Sequence, residues 1–245
     1  MTTPRTVRLA LAATTIAASL TAAGTMTAAA AATPTTSPKP TPSTTTLAAL
    51  KARCNTEVQR RIASLNADRG FIQQATNLTD ADRTALLQIV TTDVPALTAL
   101  DATIQSDTTL DQARSDCRQI VTGFRVYVLQ EPKMHGVIAA DAVTVTDSSL
   151  RKLAALLAAD INAANLPPAQ KQAAQEALDD LYAKVAASEA AIGGVSASLL
   201  PLTPAGYPAP DVTVLKAAQQ SIRTARTDLD GARHDVDTIL HLLGR

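Results

Sequence analysis

From Leu47 to the C-terminus, apolar side chains return every three or four residues with little interruption, and that spacing commits the chain to helices. Leu47, Leu50, Cys54, Val58, Ile62, Leu65 and Ile72 share one face of a first helix that ends near Asn77. Leu86, Ile89, Leu97, Leu100 and Ile104 form the face of a second, opened by Thr79 with Asp82 at capping-box distance. Pro95 falls inside this second helix and is expected to kink or locally break it. No convincing strand is found.

The third segment organises the rest. Thr109 and Gln112 again have capping-box spacing. They open a long central helix, or two helices nearly end to end, expected over about 109–166. Its face runs Leu110, Ala113, Cys117, Ile120 or Val121, Phe124 and Val128, and resumes at Leu150, Leu153, Leu157 and Ile161. Pro132 should bend it after Glu131, and the β-branched run Val143 to Thr146 is a second weak point. Pro167 and Pro168 then make a turn into a helix reaching about Leu200, softened at Gly193–Gly194. Its face is Ala173, Leu178, Leu181, Val185, Ile192, Val195 and Leu199. After the loop PLTPAGYPAP, Asp211 is expected to cap a last helix that buries Leu215, Ile222, Leu229, Val236, Ile239 and Leu243. The fold class expected is all-α: an elongated helical bundle in which two antiparallel three-helix bundles, 47–141 and 142–245, share the central helix.

Composition agrees. The apolar content is mostly Ala, Leu, Val and Ile, with only 9 Gly, and Ala is the strongest helix former. The chain has no Trp and only 3 Tyr and 2 Phe, which speaks against an aromatic platform for sugars.

Ahead of the helices lie two segments of different character. Met1 to about Ala32 reads as a secretory signal peptide: Arg5 and Arg8, then the apolar LALAATTIAASL, then small residues at Ala28 to Ala32. The apolar run is short and diluted by Thr, so a retained membrane anchor is the lesser reading. Residues 33–46, TPTTSPKPTPSTTT, form a Thr/Pro-rich linker expected to be extended and disordered. Losing Arg5 and Arg8 with the leader takes the 22 Lys and Arg to 20 against 22 Asp and Glu, a net charge of about −2. Basic side chains are scattered along the sequence, so no nucleic-acid footprint is expected.

Cys54 and Cys117 are the only cysteines, and an even count in an exported chain suggests a disulfide. In an up-down-up bundle the first and third helices are parallel, and each cysteine lies a similar distance past the start of its helix. Two buried thiols are the alternative. A redox-active pair would instead sit close in sequence.

No catalytic, cofactor or metal residues are assigned. Asp230, His234, Asp237 and His241 fall along one side of the last helix, and imidazoles with carboxylates can hold zinc. That side lies well away from the apolar face, so a solvated surface is the expected reading. His135 follows Pro132 at the bend, with Asp141 less than two turns on. A cleft holding His135 with buried carboxylates would point to an enzyme, and a solid core there would speak against one. No hydrolase, zinc-protease, P-loop or dinucleotide fingerprint is present. Asp180 with Lys184, and Glu57 with Arg61, have the spacing of exposed ion pairs.

The segment FRVYVLQEPKMHGVIAAD, after LKARCNTEVQRRI and LTDADRTALLQI, resembles exported all-helical proteins of high-GC Gram-positive bacteria. These carry RVY-x-L-x-x-P…AAD after a similar helix pair and have no assigned activity. The resemblance covers about Leu47 to Asp141 and implies architecture and export. LTDAD is also distantly similar to the LTxxQ element of all-helical periplasmic stress chaperones, with Asp82 at the Gln position.

The function expected is that of a secreted or cell-surface, non-enzymatic interaction or spacer module. Its partner would be a protein or a cell-wall component, or a second copy through helix faces, and any membrane contact would run through an uncleaved leader. The alternative is an envelope chaperone or ligand-carrying bundle, which needs an exposed apolar groove near Pro132 or Gly193.

Overall fold

The computed structural model describes residues 46–245. The expected leader, 1–32, and all but the last residue of the linker lie outside the described residues. The described residues belong to one compact unit. It is an all-α bundle of α1 (Leu47–Gln74), α2 (Asp80–Ser106), α3 (Leu110–Thr122), α4 (Glu131–Ala163), α5 (Pro168–Ile192), the short α6 (Val195–Leu199) and α7 (Asp211–Leu242). The expected boundary between 141 and 142 falls inside α4.

Caps fix the early helices where the sequence places them. The Thr79 side chain accepts from the Asp82 amide, and Thr109 with Gln112 makes a reciprocal capping box. The α2 helix continues through Pro95 without interruption. Asp211 corrects the expectation at α7: it is the first helical residue, and its carboxylate instead accepts the Thr203 amide at 3.2 Å across the proline-rich loop.

The central helix breaks in a different place from the two expected. It ends at Thr122, Arg125 takes a left-handed conformation at φ 50°, and a π-helical turn spans Val126–Gln130. Pro132 then sits in the first turn of α4, where its missing N–H costs nothing. The β-branched run Val143 to Thr146 lies within continuous α4. The interruption rotates the helical phase, which leaves Val128 exposed although it was expected in the stripe.

Two groups of helices follow. The first packs α1 against α2 and α3; the second packs α4 with α5 and α7, with α6 closing on α4 and α7. Small side chains suit this packing: Ala154, Ala174, Ala225 and Ala232 are fully buried. A continuous core joins Val58, Leu65 and Leu86 to Met134, Ile161, Leu181 and Ile239. Gly136 lies where Leu199 of α6 packs on α4: a Cβ there would stand 2.6 Å from Cδ1 of the buried Leu199. Gly136→Ala is therefore expected to cost about 1–3 kcal/mol through overpacking, despite its better helix propensity. Urea unfolding checks this, with a midpoint above the parent's as the contrary result.

Candidate functional site

The two cysteines meet. Cys54 of α1 and Cys117 of α3 form a disulfide with Cα atoms 5.7 Å apart. The bridge lies in an open groove of about 520 Å³ lined by Leu50, Ile120 and Val121, with Arg53, Arg60 and Arg61 on the α1 side. A second hollow of about 410 Å³ shares Leu50, Cys117 and Val121 and adds Arg114 and Arg118 of α3. Five arginines thus surround an apolar floor in which Val121 is 47% exposed. Glu57 is the one acid in this lining; it accepts from both Arg60 and Arg61, and the Arg61 partnership holds its carboxyl below the usual range. Arg61 is buried rather than exposed as its spacing with Glu57 suggested, and it lies 4.9 Å over the Tyr127 ring.

The basic side chains that are dispersed in sequence are therefore gathered in space. A signal for this was legible: Arg53 precedes Cys54, Arg118 follows Cys117, and Arg60 and Arg114 lie on the turns beside them. Once the cysteines are paired, their flanking arginines must converge.

His135 lies in a separate cleft of about 460 Å³ between α4 and α7, lined also by Tyr127, Glu131, Arg223 and Arg226. Its Nε2 stands 2.9 Å from Oδ1 of Asp68 on α1. Asp68 is buried, and its other oxygen has no partner. With the carboxylate accepting, Nε2–H is the donor. One turn earlier on both helices, the Ser64 hydroxyl donates to Glu131. Asp141 does not join His135, because six residues along a helix turn its side chain to another face. Instead it accepts the Thr79 amide at 3.0 Å.

That other face carries an acidic cleft of about 580 Å³ between the start of α2, α4 and the α5–α6 turn. Asp82, Asp141, Asp147 and Glu189 line it. Asp147 is 1% exposed, and its carboxylate faces the buried Ser188 hydroxyl of α5 without a hydrogen bond of normal geometry. Burial raises the pKa of Asp147 and of Asp141, with the nearby Asp82 adding to the rise at Asp141.

A carboxyl whose pKa is raised on folding binds its proton more tightly in the native state. Stability then falls as pH rises from the unfolded value, about 4, through the folded one, and the penalty is complete above it. Asp147→Asn is expected to raise the melting temperature near pH 7 by about 2–4 °C, as about 1 kcal/mol of buried-charge cost is removed. The gain should vanish near pH 4, and paired melting curves at the two pH values check it.

Along α7, Asp230, His234, Asp237 and His241 are exposed. Among the described residues no group of three or more His, Cys, Asp or Glu side chains converges to hold a metal ion. Lys184 reaches past Asp180, 3.9 Å away, to Asp235 of α7 at 2.7 Å. No helix among the described residues is long and apolar enough to cross a membrane. Scans against family models, curated proteins and solved structures find no match.

Proposed function

We propose that the chain is an exported helical module that acts by binding a protein partner through an acidic, partly apolar segment. The observation that carries this reading is the arginine-rimmed apolar groove built over the Cys54–Cys117 disulfide. Guanidinium forks pair with carboxylates in two-point geometry, and an apolar floor between them suits the opposite face of an amphipathic segment. A disulfide persists in oxidising compartments, which supports export, as does the leader-like sequence of Met1 to Ala32. The resemblance of Leu47 to Asp141 to exported helical proteins points the same way. The binding site would be a wall fixed by the bridge, with α1 and α3 held at one spacing.

A photo-crosslinking residue at Val121, in the mature chain secreted by its host, tests this. The expected adduct is a protein segment rich in Asp and Glu, lost in the Arg53→Glu/Arg118→Glu variant. An adduct with lipid or glycan, or one indifferent to the charge reversal, would overturn the reading.

A second reading, catalysis at His135, is favoured by one observation: the buried Asp68 of α1 accepts from the imidazole and orients it. This is the arrangement of a general base. The Ser64 hydroxyl, engaged by Glu131, is not poised as its nucleophile. The chaperone or ligand-carrier alternative called for an apolar groove near Pro132 or Gly193. Clefts open at both places, and both have charged walls.

A further inference from the structure

The acidic cleft contains an expense that the binding groove does not explain. Four carboxylates line it, no basic side chain does, and Asp147 is buried with neither oxygen in a well-formed hydrogen bond. Buried polar groups are nearly always hydrogen-bonded, and each exception calls for a physical reason, a bound cation among them. The neighbours of Asp147 supply no free positive charge. Ser188 and Glu189 face it from α5, Asp228 from α7 and Arg151 from its own helix. Arg151 is engaged by Glu189 through two hydrogen bonds. Asp141, one cleft wall along, is faced by Thr79 and Asp82 at the start of α2 and by Ser196 of α6.

The carboxylates surround a space rather than a point, because no three of the described acidic, His or Cys side chains converge on one centre. That arrangement suits an extended organic cation better than a metal ion. The remaining walls are apolar: Ala140, Ile192, Ala197 and Leu200. The geometry points to a binding site for a primary ammonium group on a short aliphatic chain, with the ammonium at Asp147 and the chain along Ala140, Ala197 and Leu200. Free diamines and the side chain of a partner's lysine both carry this chemistry. The N–H donors of an ammonium match the two oxygens of Asp147, whereas those of Asp141 already accept from the Thr79 amide and the Ser196 hydroxyl. The bound cation favours the ionised carboxylates, so binding weakens as pH falls and protons compete for them.

Titration of the oxidised chain with 1,5-diaminopentane and with Nα-acetyl-lysine amide, followed by amide NMR shifts at Ser188 and Gly194, tests the site. At least one should bind at pH 8, and the Nε-acetylated lysine amide should not. Binding by the diamine alone assigns a free polyamine; binding by the lysine amide alone assigns a protein side chain. Asp147→Asn should weaken the binding at least tenfold. Lowering the pH to 5 should also weaken it. No shift with either ligand, or an unchanged affinity in Asp147→Asn, would overturn the site. Tighter binding of Ca²⁺ or Mg²⁺ at the same residues would overturn the organic-cation assignment.

Discussion

Replacing Cys54 and Cys117 together by serine is expected to lower the unfolding free energy by about 4 kcal/mol and the melting temperature by about 8–16 °C. The bridge closes a sequence separation of 63 residues, so its loss restores considerable freedom to the unfolded chain. The native state also depends on it locally. The α3 helix has only 13 residues and buries just Ala113 and Ile120. At its end the chain breaks helical phase at the left-handed Arg125, so α4 does not brace it as a continuous rod would. Without the bridge, hydrogen exchange should accelerate first in α3, ahead of global unfolding. Urea unfolding of the oxidised parent against the double-serine chain measures the effect. A difference below about 1 kcal/mol would mean that α3 is held by packing alone.

Lys133→Ala is expected to cost about 3 kcal/mol, the second largest effect. Lys133 is 3% exposed, near the start of α4, and its Nζ donates to the Leu202 carbonyl at 2.9 Å. Burial pulls its pKa down, while the Asp93 and Asp211 carboxylates pull it up. Burial in turn raises the pKa of Asp93, which Gln130 contacts at 3.2 Å. The ammonium thus bonds the proline-rich loop directly and lies in the field of carboxylates on α2 and at the start of α7. Alanine removes the packed stem, leaves the Leu202 carbonyl without its donor and strips the nearby carboxylates of their positive neighbour. Lys133→Met keeps the stem and should recover part of the loss, which separates packing from charge. Equal stability of the three chains in urea would contradict this account.

The fold was legible because the apolar period is nearly unbroken, and the disulfide because parallel helices put both cysteines at one height. The same period held information that an apolar-only reading passed over. On α4 the buried stripe is Ala140, Val143, Asp147, Leu150, Ala154, Leu157 and Ile161, in strict alternation of three and four. On α1 it is Cys54, Val58, Arg61, Leu65, Asp68 and Ile72, and on α5 Ser188 lies between Val185 and Ile192. Each polar member occupies a core position by spacing alone. Of these residues, Asp147 and Arg61 line clefts, and Asp147, Asp68 and Ser188 carry the buried oxygens without a well-formed hydrogen bond. The break at Gly123–Arg125 was less accessible. Pro132 draws attention as the helix breaker, yet proline is tolerated in a first turn, so it follows the interruption instead of causing it. The arginine groove needed the cysteine pairing before Arg53 and Arg118 could be placed together.

The most direct measurement is calorimetric titration with a 20-residue helical peptide carrying Glu on one face and Leu on the other. Three forms are compared: the oxidised mature chain, the same chain reduced, and the oxidised Arg53→Glu/Arg118→Glu variant. The proposed function requires the oxidised parent to bind and the other two to bind at least tenfold more weakly, since one loses the spacing of the walls and the other their charge. Equal affinity in all three, or no binding by the oxidised parent, would contradict it.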